Sequence, residues 1–344
     1  MSATASPDFL LDTRGVHRDL QQYVVSAAFD RTSGACAFAL GDGTLRIVPR
    51  GGDWATTEAH DGAVLALCPD ARPGFLTGGD DGAFRRVSLD GTVSDVGRFG
   101  SKWVENVAAH ADGKAGVLAC TVGKHVHVFD PTGAALKTLA HPTTVTGLAL
   151  DARGKRIAAS HYNGCSLWFV AAKVDTPRVL DWKGSHTGIA LHPQSEAVVT
   201  AMQENSLHGW RLQDGQHMRM SGYPSKTQSM GFTKSGRWLA TAGAESVVLW
   251  PFFGGGPMGK APTELAGGDK VLCTRVAPHP QHEAVAAGFS DGLVVLADIP
   301  TGRILPVAGP GRGPVSALAW NGDGSHLAIG TEWGFAALVD FSKR

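Results

Sequence analysis

The sequence predicts an all-β protein folded as a single closed β-propeller, and three observations carry the prediction. An apolar stretch recurs eight times at a nearly fixed spacing, each recurrence is followed by a tight turn rich in Gly or Asp, and a later strand in the unit often carries Trp. Aligned on the residue that ends the first apolar stretch, the units mark Phe29, Leu67, Ala109, Leu150, Leu191, Phe232, Pro278 and Trp320, at intervals of 38, 42, 41, 41, 41, 46 and 42 residues. A unit of that length holds four short strands. One four-stranded sheet cannot bury both of its faces alone, so the units must stack on one another. Eight blades of four antiparallel strands are expected over residues 20–344, with seven as the alternative count. The whole chain, 1–344, is expected to be one domain, because in a repeat fold each unit leans only on its neighbours.

The elements follow in order. Phe9, Leu10 and Leu11 precede the first unit and have no local sheet to join, while the eighth unit reaches Arg344 with only three strands. Residues 8–14 are therefore expected to form the outer strand of the last blade, removing an open edge that invites aggregation. The fourth unit shows the blade pattern most clearly. Val145, Leu148 and Leu150 form an inner strand that is apolar on both faces, residues 157–160 a second strand, Asn163 and Gly164 the turn, and residues 166–170 a third strand. The eighth unit repeats it with Val315, Leu318 and Trp320, then residues 327–330 and 335–340.

These repeats resemble the WD40 family over roughly residues 20–344. The resemblance rests on Gly79, Asp80, Asp81 and Gly82; on Ser290, Asp291 and Gly292; on Asp112 and Gly113; on Ala59, His60, Asp61 and Gly62; on Ala140 and His141; and on Trp168, Trp210 and Trp250 in third strands. The Trp-Asp pair that names the family never occurs intact; Phe129-Asp130 and Ala297-Asp298 come nearest. The resemblance implies a scaffold that binds partners through the face formed by the loops between blades and the turns between second and third strands. It also implies structural roles for His60 and His141, the first bonding Thr77 and Asp81. Trp168, Trp210 and Trp250 are expected to be structural as well.

Composition bounds the partners. Lys plus Arg equals Asp plus Glu at 31 each and neither sign forms a run, so nothing points to nucleic acid or to an anionic membrane. No stretch approaches the roughly 18 continuous apolar residues of a membrane span. Five scattered cysteines, an odd number without a Cys-x-x-Cys pair, read as free thiols in a reducing compartment, and a cytoplasmic location is expected. The abundance of Ala and Gly suits a GC-rich bacterial source.

Chemistry finds little footing. No nucleophile elbow, no His-Glu-x-x-His helix and no cysteine beside an activating His occurs, so no enzyme and no cofactor are expected. Gly254, Gly259 and Lys260 imitate a phosphate loop. However, Ala261 stands where a magnesium-binding hydroxyl belongs, and a propeller lacks the strand-to-helix crossover. Residues 250–260 read instead as an insertion, which accounts for the interval of 46. Its Phe252, Phe253 and Met258 either cover a blade edge or serve as apolar anchors for a partner.

Of the 14 histidines, His110, His192 and His279 fall at or near turns, and His125 and His127 share one strand face. No metal is expected. The alternative reading is a metal or small-ligand site near the channel mouth built from His161, His186 and Cys273.

The main candidate site is a protein-binding surface on blades 3 to 6. Tyr162 and Gln203 fall just before the turn acid, Trp103 and Lys226 lead into their blades, and His186 replaces the apolar residue present as Val104, Val145 and Val315. Tyr223 completes the set. Aromatic, amide and cationic groups around one mouth combine contact area with directional hydrogen bonds. The expected function is rigid display to a protein partner by a protein that is a monomer outside its complex.

Overall fold

A computed structural model describes residues 8–111, 116–268 and 270–342. Asp112 and Gly113, which contribute to the resemblance, lie outside the described residues. The chain is almost wholly antiparallel β. The first sheet runs Val24–Phe29, Cys36–Leu40, Thr44–Val48 and Ala55–Glu58, from inner to outer strand. The second runs Val64–Pro69, Phe75–Gly79, Ala83–Val87 and Val93–Arg98, and the third Val104–His110, Val117–Val122, His125–Phe129 and Ala135–Ala140. Further along stand a sheet of Met230–Phe232, Trp238–Thr241, Val247–Pro251 and Thr263–Leu265, and one of Cys273–Pro278, Ala284–Phe289, Val294–Asp298 and Ile304–Ala308.

Between these two groups lies a six-stranded sheet: Gly147–Leu150, Arg156–Phe169, Arg178–Leu191, Ala197–Met202, Ser206–Arg211 and His217–Met220. Two of its strands are 14 residues long. Each serves two pairings: residues 157–160 pair with the inner strand, residues 164–167 with 178–181, and residues 186–191 with Ala197–Met202. The link is the pairing of Tyr162 with Ser185, which keeps the chain extended through what the sequence marks as a turn; the bend is absorbed by Asn163 at φ 68°. Counted as continuous sheets, the propeller has seven blades, the alternative count, because the fourth and fifth sequence units share one sheet.

The last sheet holds Val315–Trp320, His326–Thr331 and Phe335–Asp340, and its outer strand is Gly15–Asp19 from the N-terminal end, paired Gly15 with Val339 through Asp19 with Phe335. The expectation that residues 8–14 supply this strand is corrected. Leu10–Arg14 form a short helix instead, and Leu11 is buried with Val307, Ala308 and Val339 at the edge between the last two sheets. The helix packs so closely on its own exit that a Cβ at Gly15 would lie 2.4 Å from Leu11 Cδ1, so only glycine fits.

The core lies between sheets rather than within them. One cluster joins Ile47 and Leu45 of the first sheet to Phe75 and Val87 of the second; another joins Val24 and Phe38 of the first to Ala317 and Ala328 of the last. Several second strands, Cys36–Leu40, Phe75–Gly79 and Ala284–Phe289 among them, are buried along their whole length because both of their faces meet a neighbouring sheet.

Candidate interaction surface

Thr146, Thr274 and Ser316 occupy equivalent positions in their units, and each donates its hydroxyl hydrogen to the carbonyl of the residue that opens the next unit. The acceptors are His186, Val315 (2.7 Å) and, from the last sheet to the first, Val24 (2.6 Å). Inner strands pinned in this way stand level and run in one direction. Their N-terminal ends, and the turns between second and third strands, therefore share one face. Turns between first and second strands, and between third and fourth, share the opposite face.

Several expected residues serve the interior. His60 Nδ1 donates to Asp81 at 2.9 Å, while its Nε2 accepts the Thr77 hydroxyl at 2.8 Å. Burial pushes the His60 pKa down despite the Asp81 charge, so the ring is neutral at pH 7. His141 donates from Nδ1 to Leu139 O at 3.1 Å and accepts the Trp168 indole N–H at Nε2, also at 3.1 Å; burial, helped by the nearby His161, lowers its pKa to about 4. Trp210 and Trp250 are buried too. The Trp210 indole N–H has no partner among the described residues.

Two members of the expected binding set belong with these structural groups. His186 is fully buried. Trp182 O can only accept, so His186 donates to it from Nε2 at 2.8 Å and takes the Thr200 hydroxyl at Nδ1 at 2.7 Å. Tyr223, 8% exposed, takes the Trp250 indole N–H on its hydroxyl and meets Thr241 Oγ1, both at 2.6 Å, and burial raises its pKa to about 12. Tyr223 thus does for Trp250 and Thr241 what His141 does for Trp168 and His60 for Thr77. Neither His186 nor Tyr223 can touch a partner.

The alternative trio of His161, His186 and Cys273 is not assembled. His161 spends Nδ1 on Tyr162 O and Nε2 on the Ser166 hydroxyl, and Cys273 is buried on another sheet with its thiol pushed up to about 12 by burial. No group of three metal-binding side chains occurs among the described residues. All five cysteines are free.

Trp103 is 57% exposed and Tyr162 55%, and Gln203 and Lys226 are exposed as well. All four stand at the leading ends of inner strands or in turns between second and third strands, and hence on one face. The same face carries two exposed aromatics that the unit alignment could have revealed. Tyr23 (41%) precedes Val24 as Trp103 precedes Val104, and Trp333 (69%) occupies the second turn of its unit as Tyr162 does. Trp333 is held against the loop that leads into its own sheet: its ring lies on Gly313, whose Cβ, were there one, would sit 2.4 Å from the indole. Burial and the charge of Glu332 raise the Tyr23 pKa.

Below this rim Arg275 crosses between sheets, donating from Nε to Ser316 O (2.7 Å) and from Nη1 to Thr274 O (2.9 Å) and Gln228 Oε1 (3.4 Å). It makes no ion pair within 4.0 Å among the described residues.

On the opposite face, the insertion divides its aromatics. Phe252 is buried, 4.9 Å from the Phe232 ring and edge-on to it, in a cluster with Met218 and Trp250, so it covers the gap between sheets. Phe253 and Met258 remain exposed; Phe253 lies against Trp238 and beneath Arg237 and Lys260. The Lys260 ammonium donates to the carbonyls of Phe253, Gly254 (3.3 Å) and Gly256 (3.0 Å), which ties the loop together instead of leaving a cation for phosphate.

These stacked antiparallel sheets, pinned level from one to the next, define the class: a β-propeller of the closed type. No protein-family profile matches the chain. Among curated proteins, Autophagy-related protein 16 of Arabidopsis thaliana is 24% identical over 287 residues, which cover 81% of this chain and 56% of that protein. WD repeat-containing protein slp1 of Schizosaccharomyces pombe is 28% identical over 138 residues, 38% of this chain and 27% of that protein. The matched part thus spans about half or less of each relative. The computationally designed protein Ika8 shares the fold, with a TM-score of 0.74 at 18% identity over 94% of this chain and 98% of its own. By strand pattern the chain is a β-propeller, and by these matches it is similar to WD-repeat proteins.

Proposed function

We propose that the chain is a non-enzymatic scaffold that holds a protein partner on the face bearing Tyr23, Trp103, Tyr162 and Trp333, with Gln203 and Lys226 as polar contacts. One observation carries the reading: all four aromatics are large, exposed and fixed on short turns of one face, whereas their structural counterparts His186 and Tyr223 are buried beneath. Anchors held by a rigid frame lose little conformational freedom on binding. Arg275, which makes no ion pair within 4.0 Å among the described residues, gives the mouth a cation for an acidic side chain of the partner. The WD-repeat relatives support a scaffold over an enzyme, and the hydroxyl–imidazole contacts of His60 with Thr77 and His161 with Ser166 are buried. No helix among the described residues is long and apolar enough to cross a membrane. With five free thiols and balanced charge, the reading places the protein in a reducing, cytoplasmic setting with a protein rather than nucleic acid as partner. We take residues 1–344 as one propeller domain, a monomer outside its complex.

The test is quantitative affinity purification from the native organism with Trp103→Ala/Tyr162→Ala and Tyr23→Ser/Trp333→Ala pairs. Truncated anchors typically cost ~2 kcal/mol or more, about 30-fold in affinity, while exposed substitutions shift stability by only ~0.5 kcal/mol. A specific partner should be depleted with the melting temperature nearly unchanged. Equal recovery of the same partners from both pairs would remove this face as the contact.

A further inference from the structure

The face opposite the aromatic rim holds a cavity of about 710 Å³ at the fused sheet. Three arginines line it, Arg156, Arg178 and Arg211, against one carboxylate, Glu196. This is a local excess of positive charge in a chain whose acidic and basic residues balance at 31 each. Arg211 is paired with Asp214, but Arg156 and Arg178 have no carboxylate partner among the described residues. Arg156 lies 5.3 Å over the Phe169 ring and Arg178 donates to Leu212 O at 2.6 Å, which leaves each guanidinium with free N–H groups. Phe169 itself is 57% exposed at the cavity wall, an apolar surface beside the cations.

A second, independent feature says what form a ligand takes there. Among the described residues, 178–181 pair on one side only, with 164–167, and their Val179 is exposed. The other side is a free strand edge of backbone donors and acceptors, the surface to which an extended peptide adds. Guanidinium forks recognise carboxylate and phosphate by paired charge-assisted hydrogen bonds.

We propose that this cavity is a second docking site, distinct from the aromatic rim, for an extended peptide segment of a protein partner that carries an anionic side chain beside an apolar one. The anion, a carboxylate or a phosphate, sits between Arg156 and Arg178; the apolar side chain lies on Phe169; the backbone runs along residues 178–181.

Fluorescence anisotropy of the full chain tests it with three labelled octapeptides of identical apolar content, bearing glutamate, phosphoserine or glutamine at the remaining positions. The glutamate or the phosphoserine peptide is expected to bind about tenfold or more tightly than the glutamine peptide, and Arg156→Gln/Arg178→Gln to abolish that difference. Glu196→Gln removes the one carboxylate that lines the cavity and should tighten the anionic peptides severalfold, a gain that misfolding cannot produce. Whichever of glutamate and phosphoserine binds more tightly identifies the anion. Equal binding of charged and neutral peptides, or full binding by the double variant, overturns the site. Inorganic phosphate displacing nothing at a concentration equal to the peptides is expected. If it occupies the cavity as tightly as they do, a free anion is the ligand and the peptide proposal falls.

Discussion

Replacing Tyr223 by Phe removes one oxygen and separates a structural role from a binding one. That oxygen accepts the Trp250 indole N–H and meets the Thr241 hydroxyl, each at 2.6 Å, in a site only 8% exposed. Thr241 keeps an alternative, since its hydroxyl also lies 3.1 Å from Val248 O. Trp250 has none, so the variant buries an unsatisfied donor at a cost of about 1–3 kcal/mol. With an unfolding entropy near 2.1 cal/mol/K per residue, 344 residues give about 0.7 kcal/mol/K at the midpoint, so ~2 kcal/mol lowers the melting temperature by ~3 °C. Scanning calorimetry reads this directly, with urea denaturation as a check. Tyr223→His supplies the control, because His141 already accepts the Trp168 N–H in the equivalent place at 3.1 Å; it should recover most of the loss. The reasoning fails if Tyr223→Phe melts within 0.5 °C of the parent chain, or if the His variant is as unstable as the Phe one.

The remaining expectations concern other parts of the molecule. His141 is held neutral with its pKa lowered to about 4 against 6.5 unfolded, so below pH 6.5 the unfolded chain binds a proton that the folded one refuses. Its contribution, up to ~3 kcal/mol, is complete above pH 6.5, falls away as pH drops towards 4 and changes no further below that; urea midpoints between pH 7.5 and 4 should show a slope that His141→Gln reduces by about one proton. Deleting residues 1–19 strips the outer strand from the last sheet and the buried Leu11 from its edge, and should lower the melting temperature by several degrees with increased light scattering. Phe252→Ser should cost about 3 kcal/mol in denaturant titration, whereas Phe253→Ser, at an exposed ring, should cost under ~1 kcal/mol. Gly313→Ala, at φ 83° and under the Trp333 ring, should displace that indole and weaken partner recovery as Trp333→Ala does.

The repeat was legible because it is local. Apolar second strands, Gly- and Asp-containing turns and third-strand tryptophans are each written within a few residues, and they recur at a period that admits only stacked sheets. The His60, Thr77 and Asp81 network was legible for the same reason, since all three stand at fixed offsets inside one unit. Outer strands were not. Gly15–Asp19 is exposed over most of its length and carries a single aliphatic side chain, so nothing in its pattern marks a strand, while the apolar Leu10 and Leu11 drew attention to a segment that folds as helix.

By itself, then, the sequence determined the architecture: a propeller of repeated antiparallel units, which strands are buried, and that no charge excess commits the chain to nucleic acid, while the count of blades, expected as eight, came out as seven continuous sheets. Only the tertiary structure decided which side chains reach the surface. Tyr162 and Tyr223 look alike as residues near the openings of their turns, yet one stands in water and the other accepts a tryptophan N–H, because the outcome depends on the strand across from it. The fusion of the fourth and fifth units likewise turns on one pairing, Tyr162 with Ser185, and the arginine cavity on loops brought together from both of those units. Periodicity fixes what each residue does within its own sheet; contacts between sheets are not periodic in sequence, and burial at their edges is settled there.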